Sequence, residues 1–292
     1  MRNITITDVR EGIGDTGFLL DDGKTAVLVD TGYGFTGEAM TRNIQACLGS
    51  RSLDYILLTH SHYDHVLGVP HVLKRYPNAK VVAGTYASSI FQRPSALKLM
   101  YEMDCKAAKH IGATPSEDLT HTLHADIVVE DGQMLTCGEM EFQVIELPGH
   151  TKCSVGFYLA EHKLLISTET LGVYDGEDGY MPSFLVGYQM ALDSFQKVKP
   201  LEIGTLLVPH FGVVEGEKVA ACLEGCEQAT REMARCILAM FQDGKTAEEI
   251  LTYLKERDYD ERVQRGYPIS AFLLNTGIMI DRVRQELFEP AQ

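Results

Sequence analysis

Short apolar runs of four or five residues, separated by glycine- and acid-rich turns, recur along the first two thirds of the chain. Beyond Val214 the apolar spacing changes to threes and fours. The first pattern predicts strands and the second helices, because side chains alternate across a strand but share a helix face every third or fourth position. Thr16–Leu20 and Thr25–Val29 flank Asp21-Asp22-Gly23-Lys24, which predicts a hairpin. A helix is expected over 36–49 and a strand over Tyr55–Leu58. From His65 the spacing of Val66, Val69, Val72 and Leu73 predicts another helix. Ala79–Ala83 reads as a strand and Tyr86–Phe91 as a helix, whereas 93–125 reads as a less regular insertion. Strands follow at Asp126–Val129, Met134–Leu135 and Glu141–Leu147, and a hairpin at Val155–Ala160 with Lys163–Ser167. Helix 188–198 and strand Leu206–Pro209 complete this part. The periodicity therefore predicts an α/β domain with mixed sheets over residues 1–214.

Residues 215–292 form a different kind of segment. Val219, Cys222, Leu223, Cys226, Met233, Ile237, Met240 and Phe241 fall at helical spacing, as do Ile269, Phe272, Leu273, Ile280, Val283 and Leu287. Thr246 stands where it caps a helix beginning before Glu248 and Glu249. This C-terminal helical extension is expected to pack on the core, to roof a pocket, or to pair with a second copy as a homodimer.

The chemistry concentrates at Thr59-His60-Ser61-His62-Tyr63-Asp64-His65, directly after the Tyr55–Leu58 run. His60 and His62 lie two apart on an extended segment and can grip one ion together. Asp64 and His65 come after a turn begins and would face a second ion. Imidazoles with a carboxylate suit zinc, and iron or manganese when more oxygen joins them. The other reading is a histidine-rich surface turn.

Composition narrows the choice of substrate. A formal charge of −15 over 292 residues repels polyanions and argues against nucleic acid. Met1–Thr5 has no signal-peptide core, and no run approaches the roughly 18 apolar residues of a membrane helix. Seven cysteines without close pairing agree with a reducing, cytoplasmic setting.

His-Ser-His-Tyr-Asp-His resembles the H-x-H-x-D-H signature of the metallo-beta-lactamase superfamily, a group of mostly hydrolytic binuclear enzymes. The resemblance implies an αββα sandwich of two mixed β-sheets with outer helices, and further ligands downstream. Gly149-His150-Thr151 matches the family's later histidine. Val208-Pro209-His210-Phe211-Gly212 matches its last, without the usual preceding glycine. At the bridging position the family has glycine-aspartate, and this chain has Ser167-Thr168-Glu169-Thr170. The implied first site is His60, His62 and His150, and the second is Asp64, His65 and His210, with Glu169 between them. A glutamate, one methylene longer, could bridge, bind one ion, or swing aside, with Asp175 and Asp178 as fallback ligands. Asp30-Thr31-Gly32 resembles the turn that lies under the metals in this family. Its aspartate would either orient a ligand histidine or merely end a strand as an Asx-turn. A similar helical tail occurs in the quinolone signal response thioesterase branch.

Two divalent cations sharing a water bring its pKa toward neutrality and supply hydroxide. The expected function is therefore hydrolysis of a small-molecule ester or thioester, with phosphodiesters also open and Asp64 handling protons. The alternative is a non-catalytic or weakly catalytic metal-binding regulatory protein of the same fold.

Overall fold

A computed structural model describes residues 3–12, 14–176, 179–265 and 267–289. Asp178 lies outside the described residues. The fold is α/β, with two mixed six-stranded sheets, a two-stranded ribbon and helices. The chain separates into two compact units, residues 1–146 with 155–161, and residues 147–154 with 162–292. No helix among the described residues is long and apolar enough to cross a membrane.

In the first unit, β1 (Thr5–Asp8), β2 (Phe18–Asp21) and β3 (Ala26–Val29) each run antiparallel to the next. The β2–β3 hairpin closes as the composition predicts. Asp21 Oδ1 accepts from the Gly23 amide at 2.8 Å, and Asp22 Oδ1 accepts from Lys24 and Thr25 at 2.8 and 2.7 Å. Gly23 supplies the left-handed φ of +86° that this turn requires. After α1 (Gly37–Leu48), β4 (Tyr55–Leu57) adds in parallel to β3. The signature then opens two short helices, α2 (Tyr63–Val66) and α3 (Val69–Arg75), instead of the single helix expected. They divide at Gly68, where a Cβ would stand 1.9 Å from the Thr31 carbonyl oxygen. β5 (Lys80–Gly84) is parallel to β4, and α4 (Thr85–Ile90) follows it.

The insertion after α4 is more ordered than its sequence suggests. It forms the 17-residue helix α5 (Pro94–His110), which contacts α2, before a 3₁₀ turn at Thr120–Thr122. Pro94 sits in the first turn of α5, where its missing N–H costs nothing. β6 (Ile127–Val129) closes the first sheet beside β5 in parallel. β3, β4 and β5 lie centrally in this sheet and are almost wholly buried, as strands covered on both faces must be. β7 (Met134–Cys137), β8 (Met140–Glu146) and β9 (Val155–Leu159) follow as an antiparallel meander.

In the second unit β10 (Leu164–Ile166) is buried along its length. β11 (Val173–Tyr174) and β12 (Tyr180–Met181) form the ribbon. The amphipathic α6 (Tyr188–Val198) leads to β13 (Thr205–Val208), parallel to β10, and to β14 (Gly212–Glu215), antiparallel to β13. The helical segment comprises α7 (Glu217–Gln242), α8 (Ala247–Asp258), α9 (Glu261–Gln264) and α10 (Ile269–Val283). Thr246 caps α8 in a reciprocal capping box with Glu249. Met233, Ile237, Phe241, Ile250, Leu254 and Ile280 form the centre of this unit's core. α6 belongs to the same layer, because Ala191 joins that core and the Glu286 carboxylate accepts the Tyr188 and Gln189 amides, both at 3.0 Å. None of the seven cysteines, all of them among the described residues, forms a disulfide.

Candidate metal centre

β4 ends in a loop whose conformation is dictated by one carboxylate. Asp30 follows β3 and adopts a left-handed φ of +55°. Its amide donates to the Leu57 carbonyl at 2.9 Å. Its Oδ1 accepts the Thr59 amide and its Oδ2 the Thr59 hydroxyl, both at 2.8 Å. Oδ2 also stands 2.8 Å from His65 Nδ1. With the Nδ1 proton given to a buried carboxylate, the lone pair of His65 lies on Nε2, the state needed for ligation. Of the two readings of the Asp-Thr-Gly turn, the structure favours orientation of a histidine.

The backbone of the signature is held from below as well. The His65 carbonyl accepts the Thr31 amide at 2.7 Å and its hydroxyl at 2.9 Å. The imidazole of His60 lies 4.7 Å from that of His62 and 4.0 Å from that of His65, centroid to centroid. His60 and His65 are buried, and His62 and Asp64 are half-buried.

The downstream residues are placed by equally local means. His150 is buried; its amide donates to Thr170 Oγ1 at 3.0 Å, and its Nδ1 meets Ser183 Oγ at 2.7 Å. Glu169 opens a 3₁₀ turn after β10, capped by Thr168, whose side chain accepts from the Thr170 amide. Its carboxylate oxygen Oε1 lies 3.1 Å from His210 Nε2. His210 follows β13 with a left-handed φ of +61°, and its neighbour Phe211 packs edge-on against Tyr174 at 4.9 Å. Asp175 is engaged elsewhere, accepting from the Gly179 amide at 3.0 Å and pairing with Arg262 at 2.8 Å.

Seven residues make up three overlapping groups able to hold a metal ion: His60, His62 and His150; His60, His65 and Glu169; Asp64, His65 and His210. Within each group the donor atoms lie no more than 4.8 Å apart. Donors bound at about 2.1 Å can be at most about 4.2 Å from one another, so a small side-chain adjustment suffices in each group. Nitrogen and carboxylate donors, mostly buried, fit a divalent cation of the zinc, iron or manganese kind. Sequence reasoning named these seven side chains but missed Ser183, a single serine in a turn-rich loop with no pattern to mark it.

Behind the signature, Asp15 and Asp104 clamp the segment that follows Gly32. Asp15 Oδ1 accepts the Tyr33 amide at 3.2 Å, and Asp104 Oδ1 accepts the Gly34 amide at 2.8 Å. Burial pushes Asp15 up to about 6 and Asp104 up to about 7, against the lowering effect of these amide bonds. The Tyr33 phenol is also driven upward by burial, with the Asp64 charge adding to the effect, and so stays protonated. The exposed histidines 110, 121 and 124 belong to none of the three groups.

Similarity to known proteins extends over most of the chain. The model of the metallo-beta-lactamase superfamily matches residues 11–210. A hydroxyacylglutathione hydrolase of Photorhabdus laumondii is 30% identical over 146 residues, covering 49% of this chain and 42% of that protein. An atrochrysone carboxyl ACP thioesterase of Cryptosporiopsis is 25% identical over 158 residues, covering 54% of this chain and 38% of that protein. The chain thus spans less than half the length of these curated relatives. A metallo-beta-lactamase family protein of Thermus thermophilus superposes with a TM-score of 0.61 at 21% identity, covering 92% of this chain and 88% of that one.

Proposed function

From the premise that this chain belongs to the metallo-beta-lactamase superfamily, we propose that it is a cytoplasmic metal-dependent hydrolase of a small-molecule thioester or ester. The observation that carries the reading is the overlap of the three donor groups, which share His60 and His65. Linked through these two histidines, the groups bring seven donor residues together, more than the roughly four that one zinc takes. In this reading His60, His62 and His150 hold the first cation, and Asp64, His65 and His210 the second. Glu169 contributes its carboxylate between them, and zinc is the cation the donors suit best. The names of the two curated relatives, a hydroxyacylglutathione hydrolase and a carboxyl ACP thioesterase, support thioesters.

When bound, the cations polarise the substrate carbonyl and activate water for attack. The residues of the chain do the rest. Asp30 fixes the tautomer of His65, and Ser183 contacts the outer nitrogen of His150. Asp64, half-buried, takes the proton released as water adds to the acyl carbon and returns it to the leaving sulfur or oxygen as that bond breaks. No nucleophilic serine or cysteine is needed.

The test is to replace His60 and His62 separately by alanine. Both variants are expected to lose bound metal, read by elemental analysis, and to lose turnover of generic thioester and ester probes. Undiminished turnover would remove the mechanism. Wild-type protein that binds metal yet cleaves no ester, thioester or phosphodiester would favour the regulatory alternative.

A further inference from the structure

We propose that Ser183 is a positioning residue for His150, and that Phe184 couples this contact to the helical core of the C-terminal segment. The inference rests on His150 being a metal ligand, as read above. Ligation through Nε2 requires the imidazole proton on Nδ1, and the Ser183 hydroxyl oxygen, 2.7 Å away, is placed to accept it. A rotating imidazole would lose this bond, so the serine holds the ring orientation, and its hydroxyl can accept the Nδ1 proton when Nε2 is the ligating atom.

The segment carrying His150 is tied to the same loop and helix. The Val186 amide donates to the Gly149 carbonyl at 2.8 Å, and the Ser194 hydroxyl of α6 donates to the Pro148 carbonyl at 2.7 Å. Gly149 lies so close to Ala191 that a Cβ there would come within 2.9 Å of the alanine methyl. Consecutive residues 148–150 are thus held from residues 183–194 at every position.

Phe184 makes the link to the helices. Its side chain is fully buried in the core formed with Met233, Ile237, Phe241 and Ile280, and it meets Tyr188 edge-on at 5.5 Å. One residue reaches the histidine and the next is locked among α7 and α10. Since packed cores transmit displacement instead of absorbing it, the C-terminal helices help set the affinity of the metal site, although they supply no donor to it.

The test uses the full chain and measures zinc affinity by chelator competition, with the absorption spectrum of the cobalt(II)-loaded protein as a report on ligand geometry. Ser183→Ala is expected to weaken zinc binding by roughly 10- to 100-fold and to alter the cobalt spectrum. Ser183→Thr, which keeps the hydroxyl, is expected to restore both. Phe184→Leu should weaken zinc binding more than Ile280→Val, a smaller change in the same core, when the two are compared at equal loss of thermal stability. His150→Ala is the reference for the underlying reading. If His150→Ala releases metal while Ser183→Ala binds zinc like the wild type, the positioning role is overturned. If His150→Ala keeps its metal, it is the ligand assignment that fails. Equal effects of Phe184→Leu and Ile280→Val would overturn the coupling.

Discussion

The Asp30 carboxylate receives three donors, the Thr59 amide, the Thr59 hydroxyl and His65 Nδ1, in an environment almost closed to water. Asp30→Ala would strand buried donors, each costing about 1–3 kcal/mol, and would free His65 to rotate. The expected outcome is a fall in zinc affinity of roughly 10- to 100-fold and a lower urea midpoint, measured by chelator competition and equilibrium unfolding. Asp104 makes the stability of the fold depend on pH. Its folded pKa, about 7, stands above the unfolded value of 3.8. The folded state therefore holds the proton more tightly, and the associated stability, complete below pH 3.8, drains away as pH rises to 7. Asp104→Asn cannot ionise, so its stability relative to wild type should climb across that window, as urea midpoints at several pH values would show. A difference independent of pH would refute the assignment. Asp30 was legible beforehand through its Asp-Thr-Gly context, but a buried acid such as Asp104 is written with the same letter as a solvated one. Only the fold reveals which carboxylates have lost their water.

Secondary elements were readable where one face is uniformly apolar. The prediction of helix 188–198 coincides with α6, and Thr246 caps α8 as its position before two glutamates suggested. Thr246→Ala should cost about 1 kcal/mol, visible as a lower unfolding midpoint and faster amide exchange in the first turn of α8. Loss of neither would mean that the cap is redundant. Helix α5 escaped notice because its buried face includes Asp104 while Leu99, on the same helix, is 57% exposed. Polar and apolar positions are exchanged there, and the periodic signal disappears. The division between α2 and α3 had a different cause. Gly68 approaches the Thr31 carbonyl closely, a contact between segments that no local pattern encodes, and Pro70 in the first turn of α3 cannot continue a helix begun at Tyr63.

At the scale of the molecule, the family resemblance carried what periodicity could not. Spacing alone predicts mixed sheets, whereas the ligand signature also implies which strand ends supply donors. The described structure has the two mixed sheets and the helical extension. Its donors come from segments as far apart in sequence as His60 and His210, so bound cations should stabilise the folded chain by mass action. Zinc at one hundred times its Kd would contribute about 2.7 kcal/mol. Exhaustive chelation should accordingly lower the thermal midpoint by several degrees, and added zinc should restore it; an unchanged midpoint would contradict a folded-state metal site.

The left-handed backbone of His210 has a consequence for descent. Glycine would occupy that φ of +61° with no steric penalty, whereas an L side chain there gives up about 1 kcal/mol. A lineage released from selection for its chemistry gains by exchanging this histidine for glycine, so descendants that have abandoned catalysis should carry Val-Pro-Gly-Phe-Gly here while their cores remain unaltered.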